Sequence, residues 1–235
     1  MISMRRLFIQ TKWEFRLNAR NFEQALLLII IPVLILFLLT NTTIIGGQSN
    51  PISLGFATVL TVSTFAAGFT SLAIATAFER RSDTLVFLGT TLLTRLEVVL
   101  AKSAGSFLLA LFAGTFTLVA ALLLGWIPAT GALLIPISIA LGVFSVSGFA
   151  YLLAGTVRAE AVLAIANAVF LFVLMLGGVL FTFGTGTTHV LEFFPPLALK
   201  HVMEASVATS GTADASIISA VLVLIGWGVI GHVLA

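Results

Sequence analysis

Long apolar runs separated by short polar breaks make up most of this chain, and the runs are continuous instead of alternating residue by residue. In hydrocarbon every backbone N–H and C=O must be satisfied inside the segment or around a closed barrel, and unbroken apolar runs select helices over barrel strands. A helix crossing a hydrocarbon layer ~30 Å thick needs roughly 20 apolar residues. Cut at charge, Pro and Gly, the sequence gives six such runs, about Gln24 to Ile44, Leu54 to Phe78, Val98 to Trp126, Ala132 to Thr156, Ala161 to Phe183 and Ser216 to Ala235. The expected fold is all-α and membrane-integral, a single domain of six transmembrane helices over residues 1–235.

Three polar or mixed stretches lie outside these runs. Projected at about 100° per residue, Met4, Leu7, Phe8, Thr11, Phe15 and Phe22 fall on one side of a helix, with Arg5, Arg6, Lys12, Arg16 and Arg20 opposite. That pattern predicts an amphipathic interfacial helix over residues 1–22, cations toward anionic head groups and rings toward acyl chains. Ile9 and Trp13 interrupt its polar side, and Trp13 reads either as an interfacial anchor or as a contact with a soluble partner. The longest stretch between runs, residues 184–215, holds Pro195-Pro196 and then a short helix through Leu197 to Val207. It is apolar enough that it should fold back on the span ends.

The third stretch is the most charged. FERRSDTLVFLGTTLLTRLEVVLAK, from Phe78 to Lys102, carries seven charges in a protein with only 9% charged residues. Ser82 or Asp83 can cap a short helix through Thr84 to Leu88, ended by Gly89, with too few apolar residues to span anything. Thr94-Arg95-Leu96-Glu97 has capping-box spacing, so a helix restarts near Arg95. Read blandly, the stretch is a solvated loop whose charges fix topology.

Composition adds the class: 60% hydrophobic residues, a mean hydropathy of +1.20 and 20 Phe exceed what a water-soluble core of 235 residues could hide. Basic residues orient it. With the N-terminus inside, Arg5, Arg6, Lys12, Arg16, Arg20, Arg80, Arg81, Arg95, Lys102 and Arg158 are cytoplasmic and Lys200 alone is outside, which places both termini in the cytoplasm. Absence of Cys excludes disulfides and thiolate chemistry. No P-loop, zinc-protease or nucleophile-elbow motif occurs, so no catalytic residue and no ATP hydrolysis are expected on this chain. His189, His201 and Glu192 lack metal-ligand spacing, and no metal site is expected. Proton- and ion-coupled carriers keep ionisable groups deep in their spans. None lies at mid-span here. Uncharged polar residues do: Thr58, Thr61, Phe65 and Phe69 share one stripe of the second run, and Asn167 with Phe170 lies in the fifth. Such residues either line a path for a hydrophobic or amphipathic substrate or pack helices together.

Several segments, in order and spacing, resemble the permease subunits of ABC-2 type (type V) ABC exporters, the bacterial drug-efflux branch in particular. They are the N-terminal amphipathic helix, Phe78-Glu79-Arg80-Arg81 with Thr84-Leu85, Leu88-Gly89-Thr90-Thr91, Thr94-Arg95, Leu124-Gly125-Trp126-Ile127-Pro128, Ala154-Gly155-Thr156-Val157-Arg158-Ala159-Glu160-Ala161, Ala166-Asn167 and Gly177-Gly178-Val179 with Pro195. The sequence departs from that pattern at Asp83, where Gly is usual, and at Leu92 and Thr182, where Pro is common.

The resemblance implies a multi-pass permease of the bacterial cytoplasmic membrane that exports a drug-like, lipid or similar substrate. A separate ABC ATPase (nucleotide-binding) subunit would supply ATP and Mg chemistry. A second permease copy or paralogue would complete the pore, and no nucleic acid is involved. It further implies that residues 79–97 form a coupling loop whose Glu79, Arg80, Arg81, Asp83, Thr84, Leu85 and Leu88 meet the ATPase. Beside it would lie the interfacial helix with Arg5, Arg6, Lys12, Trp13, Arg16 and Arg20. Substrate-path candidates are Thr58, Thr61, Phe65, Phe69, Asn167 and Phe170. A non-transporting membrane scaffold or regulator, and a channel-like protein, are the alternative readings.

Overall fold

A computed structural model describes residues 3–20, 22–41, 50–176, 191–208 and 215–235. Among the described residues the regular structure is entirely helical. The helices are α1 (Met4–Arg20), α2 (Phe22–Asn41), α3 (Pro51–Phe65), α4 (Leu72–Arg81), α5 (Thr84–Gly89), α6 (Arg95–Leu123), α7 (Ile135–Thr156), α8 (Ala159–Leu176), α9 (Pro195–Val207) and α10 (Ala215–Leu234). A π-helical turn over Ala66–Ser71 joins α3 to α4, and a 3-10 turn over Thr130–Leu134 precedes α7.

Four described helical segments are long and apolar enough to cross a membrane: Pro51–Arg81, Arg95–Leu123, Thr130–Thr156 and Ser216–Leu234. The first and fifth expected runs fall on shorter apolar stretches, Leu28–Asn41 and Ala159–Met175. Parts of both runs, Thr182, His189 and much of residues 184–215 lie outside the described residues. The continuous unit Pro51–Arg81 forms the centre, with Gly55 through Phe65 buried without a break. Around it α2, α6, α7 and α9 contribute Leu36, Leu109, Ile139 and Met203 to one core. A second core joins Phe65 and Phe69 to Val146, Val162 and Ala166 from α7 and α8.

Lipid tails are as apolar as Leu, so helices in membranes associate through close packing of small residues and through hydrogen bonds. The α7–α10 crossing works this way. A Cβ built on Gly148 would lie 2.3 Å from the carbonyl carbon of Gly231, so the two backbones touch. Nearby, Ser147 Oγ is 3.3 Å from His232 Nε2, and the His232 ring stacks on Phe144 with centroids 5.1 Å apart. α9 packs on the bundle: Leu197, Leu199, Val202 and Met203 are buried, and Ser206 Oγ meets Ser138 Oγ of α7 at 2.8 Å.

Local signals account for the charged stretch. Thr94 Oγ1 accepts from the Glu97 N–H at 3.2 Å, while Glu97 Oε2 accepts from the Thr94 N–H at 2.8 Å, a reciprocal cap that starts α6 at Arg95. The cap expected on α5 is different. Asp83 makes no side-chain cap and sits at φ 58°, in the left-handed region, while Ser82 Oγ turns to the Thr84 hydroxyl at 2.8 Å. Asp tolerates that conformation better than most L-residues, and Gly tolerates it best. A side chain at Gly148 has no such tolerance, and Gly148→Leu is expected to destabilise the purified chain by about 2 kcal/mol or more. Thermal unfolding in detergent checks this, and an unshifted transition would refute backbone contact at the crossing.

Candidate functional site

Charged side chains gather at one end of the bundle, where α1, α4, α5, the start of α6 and the α7–α8 turn meet. At the centre is Lys102 on α6, which is only 3% exposed. Its Nζ lies 3.1 Å from Glu14 Oε2 of α1 and pairs also with Glu79 Oε2 of α4. Glu14 Oε1 accepts from Gln10 Nε2 at 2.8 Å. Lys102 and Glu14 are thus buried and Glu79 partly so, which is tolerable only because each has a partner.

This arrangement adds a buried polar contact to α1. Its inward face centres on Gln10 and Glu14, both buried, with Phe15 of the apolar stripe packed beside them against Phe112. Gly105 permits the approach: a Cβ there would lie 2.8 Å from the Glu14 Cβ. Further along, the Ser3 N–H donates to Glu97 Oε1 at 2.7 Å, Arg6 Nε is 3.8 Å from the same oxygen, and Arg6 also donates to the Leu92 carbonyl. With the bundle taking this face, two apolar flanks remain exposed, Met4 and Phe8 on one side and Ile9, Trp13 and Leu17 on the other. Arg5, Lys12, Arg16 and Arg20 are exposed between them.

The seven predicted coupling residues separate into four groups. Glu79 is turned inward to Lys102. Arg80 donates to the carbonyls of Gly155 and Val157, and Arg81 pairs with Glu160, so both arginines clamp the end of α4 to the α7–α8 turn. The Gly155 and Val157 carbonyls lie at the C-terminal end of α7, where helix carbonyls lack intrahelical partners and a cation is favoured. Leu85 and Leu88 face back into a cleft of about 410 Å³ with Thr76, Val98, Lys102 and Tyr151. Tyr151 closes that cleft, donating to the Val99 carbonyl at 2.9 Å and meeting Ser103 Oγ at 2.8 Å. Asp83 and Thr84 are exposed. The apolar surface α5 turns outward is Val86 and Phe87, 67% and 70% exposed, with Leu92 beside it at 83%. Sequence reasoning passed over Phe87. The signal was present in the helix period, because Leu85 and Leu88 are three apart and share a face that Val86 and Phe87 do not.

The second candidate group is also divided. Thr58, Thr61, Phe65 and Phe69 are buried inside the single chain, with Thr61 Oγ1 donating to the Ala57 carbonyl at 2.9 Å. The π-helical turn starts just after Phe65 and contains Phe69, and the two rings remain in contact with centroids 5.3 Å apart. Thr61, Phe65 and Phe170 meet, with Pro196, around a slot of only about 10 Å³, which is packing and no passage for a molecule of drug size. Asn167 is not among them. It is exposed on α8, its Nδ2 donating only to the Leu163 carbonyl of its own helix at 2.9 Å.

Among the described residues no group of three or more His, Asp or Glu could hold a metal ion. No family model matches the chain, and no curated protein matches it in sequence. Helix content and the four apolar helices define the class: an all-helical, membrane-embedded protein.

Two outcomes test this geometry. Lys102→Met strands Glu14 and Glu79 in the bundle and is expected to cost about 3–5 kcal/mol. Adding Glu14→Gln and Glu79→Gln should restore most of it; a neutral single variant in thermal unfolding would refute the buried cluster. At the left-handed position, Asp83→Gly should be neutral or stabilising, and Asp83→Val should lower stability by about 1–2 kcal/mol in the same assay.

Proposed function

We propose that the chain is the permease subunit of an ATP-binding cassette exporter of the ABC-2 type, in which a separate nucleotide-binding subunit docks on the charged end of the bundle. The observation that carries the reading is the apolar knob Val86–Phe87, held outward on a short helix whose base is clamped to the α7–α8 turn by Arg80 and Arg81. An exposed aromatic on a rigid mount, ringed by polar groups, has the make-up of an interface anchor. The Ile9, Trp13 and Leu17 flank of α1 supplies a second contact. Met4 and Phe8 lie against the cytoplasmic lipid surface. ATP and Mg are held by the partner and not by this chain.

Transport follows from the mount. Movement of the partner pushes α5, and the Glu14–Lys102–Glu79 cluster passes the displacement to α1 and α6, shifting the bundle between alternative arrangements. Six spans per chain, in the bacterial cytoplasmic membrane with both termini inside, give half a pore. A second permease copy or paralogue completes it. Support for the second chain comes from α8, where Asn167 and the exposed Leu171, Phe172 and Met175 lie on a face that the described residues leave uncovered. The cargo is hydrophobic or amphipathic, because the path candidates Thr58, Thr61, Phe65, Phe69, Asn167 and Phe170 offer rings and uncharged polar groups; Thr61, Phe65 and Phe170 pack together here, so a route between them opens only when the bundle shifts.

Phe87→Glu is expected to lower cargo-stimulated ATP hydrolysis by the complex more than tenfold, in line with the loss of an interface anchor, without changing thermal stability. Full stimulation in that variant would sink the docking assignment. Arg81→Glu should be rescued by Glu160→Arg if Arg81 acts as a clamp, whereas failure of the charge swap in a stable double variant would make Arg81 a direct partner contact.

A further inference from the structure

Trp126 lies just beyond the C-terminal end of α6, the helix whose opposite end carries Glu97 and Lys102. It is 5% exposed, with its ring against Phe56 at a centroid distance of 4.9 Å. Its indole N–H is buried and has no hydrogen-bond partner among the described residues. Tryptophan is large and apolar with one polar handle, and when buried that handle usually finds an acceptor. No described group supplies one.

Two clefts share this residue. One, of about 310 Å³, is lined by Phe56, Leu60, Leu118, Leu122 and Ile139 and is almost wholly apolar. The other, of about 220 Å³, is lined by Asn50, Pro51, Ser53 and Gly125 and is evenly polar and apolar. No charged side chain lines either cleft. The larger opens to the outside of the bundle along Thr115, Leu122 and Pro136, all exposed, so in a membrane its mouth faces acyl chains. The lining asks for a molecule with an apolar tail, a carbonyl where tail meets head, and a head that needs no counter-charge. Membrane phospholipids with zwitterionic heads have that build, and the interface is where Trp side chains and ester carbonyls share a depth.

We propose that this paired cleft is a binding site for one membrane phospholipid, with an acyl chain in the apolar cleft, an ester carbonyl accepting from Trp126 Nε1, and the zwitterionic head over Asn50 and Ser53. The lipid then fills the gap between α3, α6 and the start of α7 and gives the buried N–H its acceptor. This assignment stands apart from the exporter reading and needs no partner subunit.

Trp13→Phe with Trp227→Phe leaves Trp126 as the sole indole of the full-length chain. Purified in detergent and titrated with phosphatidylcholine carrying brominated acyl chains, that variant is expected to show saturable quenching at one lipid per chain. Thr115→Phe, at the exposed mouth, and Gly114→Leu, whose side chain would enter between Leu60 and Ile139, should each abolish saturation. A brominated hydrocarbon of equal chain length should bind roughly five- to tenfold more weakly, as expected for loss of one hydrogen bond. In native mass spectrometry, Trp126→Phe on the otherwise unaltered chain should retain phosphatidylcholine less by a similar factor. Linear quenching insensitive to Thr115→Phe, equal binding of the hydrocarbon, or undiminished lipid on Trp126→Phe would overturn the proposal. Quenching relieved by a hydrophobic dye but not by unbrominated phosphatidylcholine would also overturn it, assigning the cleft to cargo.

Discussion

The described architecture hangs on one buried cation. Lys102 holds two carboxylates from different helices, Glu14 of α1 and Glu79 of α4, in a chain with only 11 basic and 9 acidic residues. Burying Lys102 and Glu14, and Glu79 in part, is expensive, and breaking one pair leaves an uncompensated ion behind. The cluster therefore fixes positions more than it adds stability. It draws a helix that would otherwise float on the lipid surface into contact with α6, and Gly105 leaves room for it. It also anchors the end of α4 from one side, while Arg80 and Arg81 anchor the same end to the α7–α8 turn from the other. The corner that carries α5 is held at both edges.

Away from that corner, contacts are short and mostly uncharged. Gly148 against Gly231, Ser138 against Ser206 and Ser147 against His232 place backbones close and satisfy hydroxyls across helices. Such contacts suit a medium that offers no hydrophobic drive between helices. The central unit Pro51–Arg81 is buried for most of its length and interrupted by a π-helical turn, a form often found where a helix must bend or shift. A push on α4 is thus delivered to the most enclosed helix of the bundle.

What the sequence made legible was local. The capping box at Thr94 and Glu97, the short helix ended by Gly89 and the amphipathic N-terminal helix all follow from side chains within one or two turns of each other. Long-range pairing was not legible. Glu14 and Lys102 are 88 positions apart, and in the sequence alone Lys102 is one more cytoplasmic cation with nothing to mark its partner. Arg80 and Arg81 resembled surface cations because their acceptors, the Gly155 and Val157 carbonyls and Glu160, come from another part of the chain. Projection of α1 separated its basic side, which is mostly exposed, from its apolar side, but did not single out Gln10 and Glu14, which answer Lys102 beside Phe15. Asp83 resembled a helix cap by residue type, whereas its backbone needs a left-handed conformation that a periodicity reading does not report.

The central claim is that force made on a separate nucleotide-binding protein enters through the outward face of α5. Photo-crosslinking in native membranes tests it most directly, with a benzophenone side chain placed at position 87 or at position 85. The account predicts that position 87 captures a protein that is itself labelled by a photoreactive ATP analogue, while position 85, facing the internal cleft, yields crosslinks only within this chain. Crosslinks at position 87 to lipid alone, or equal capture of the nucleotide-binding protein from both positions, would contradict it.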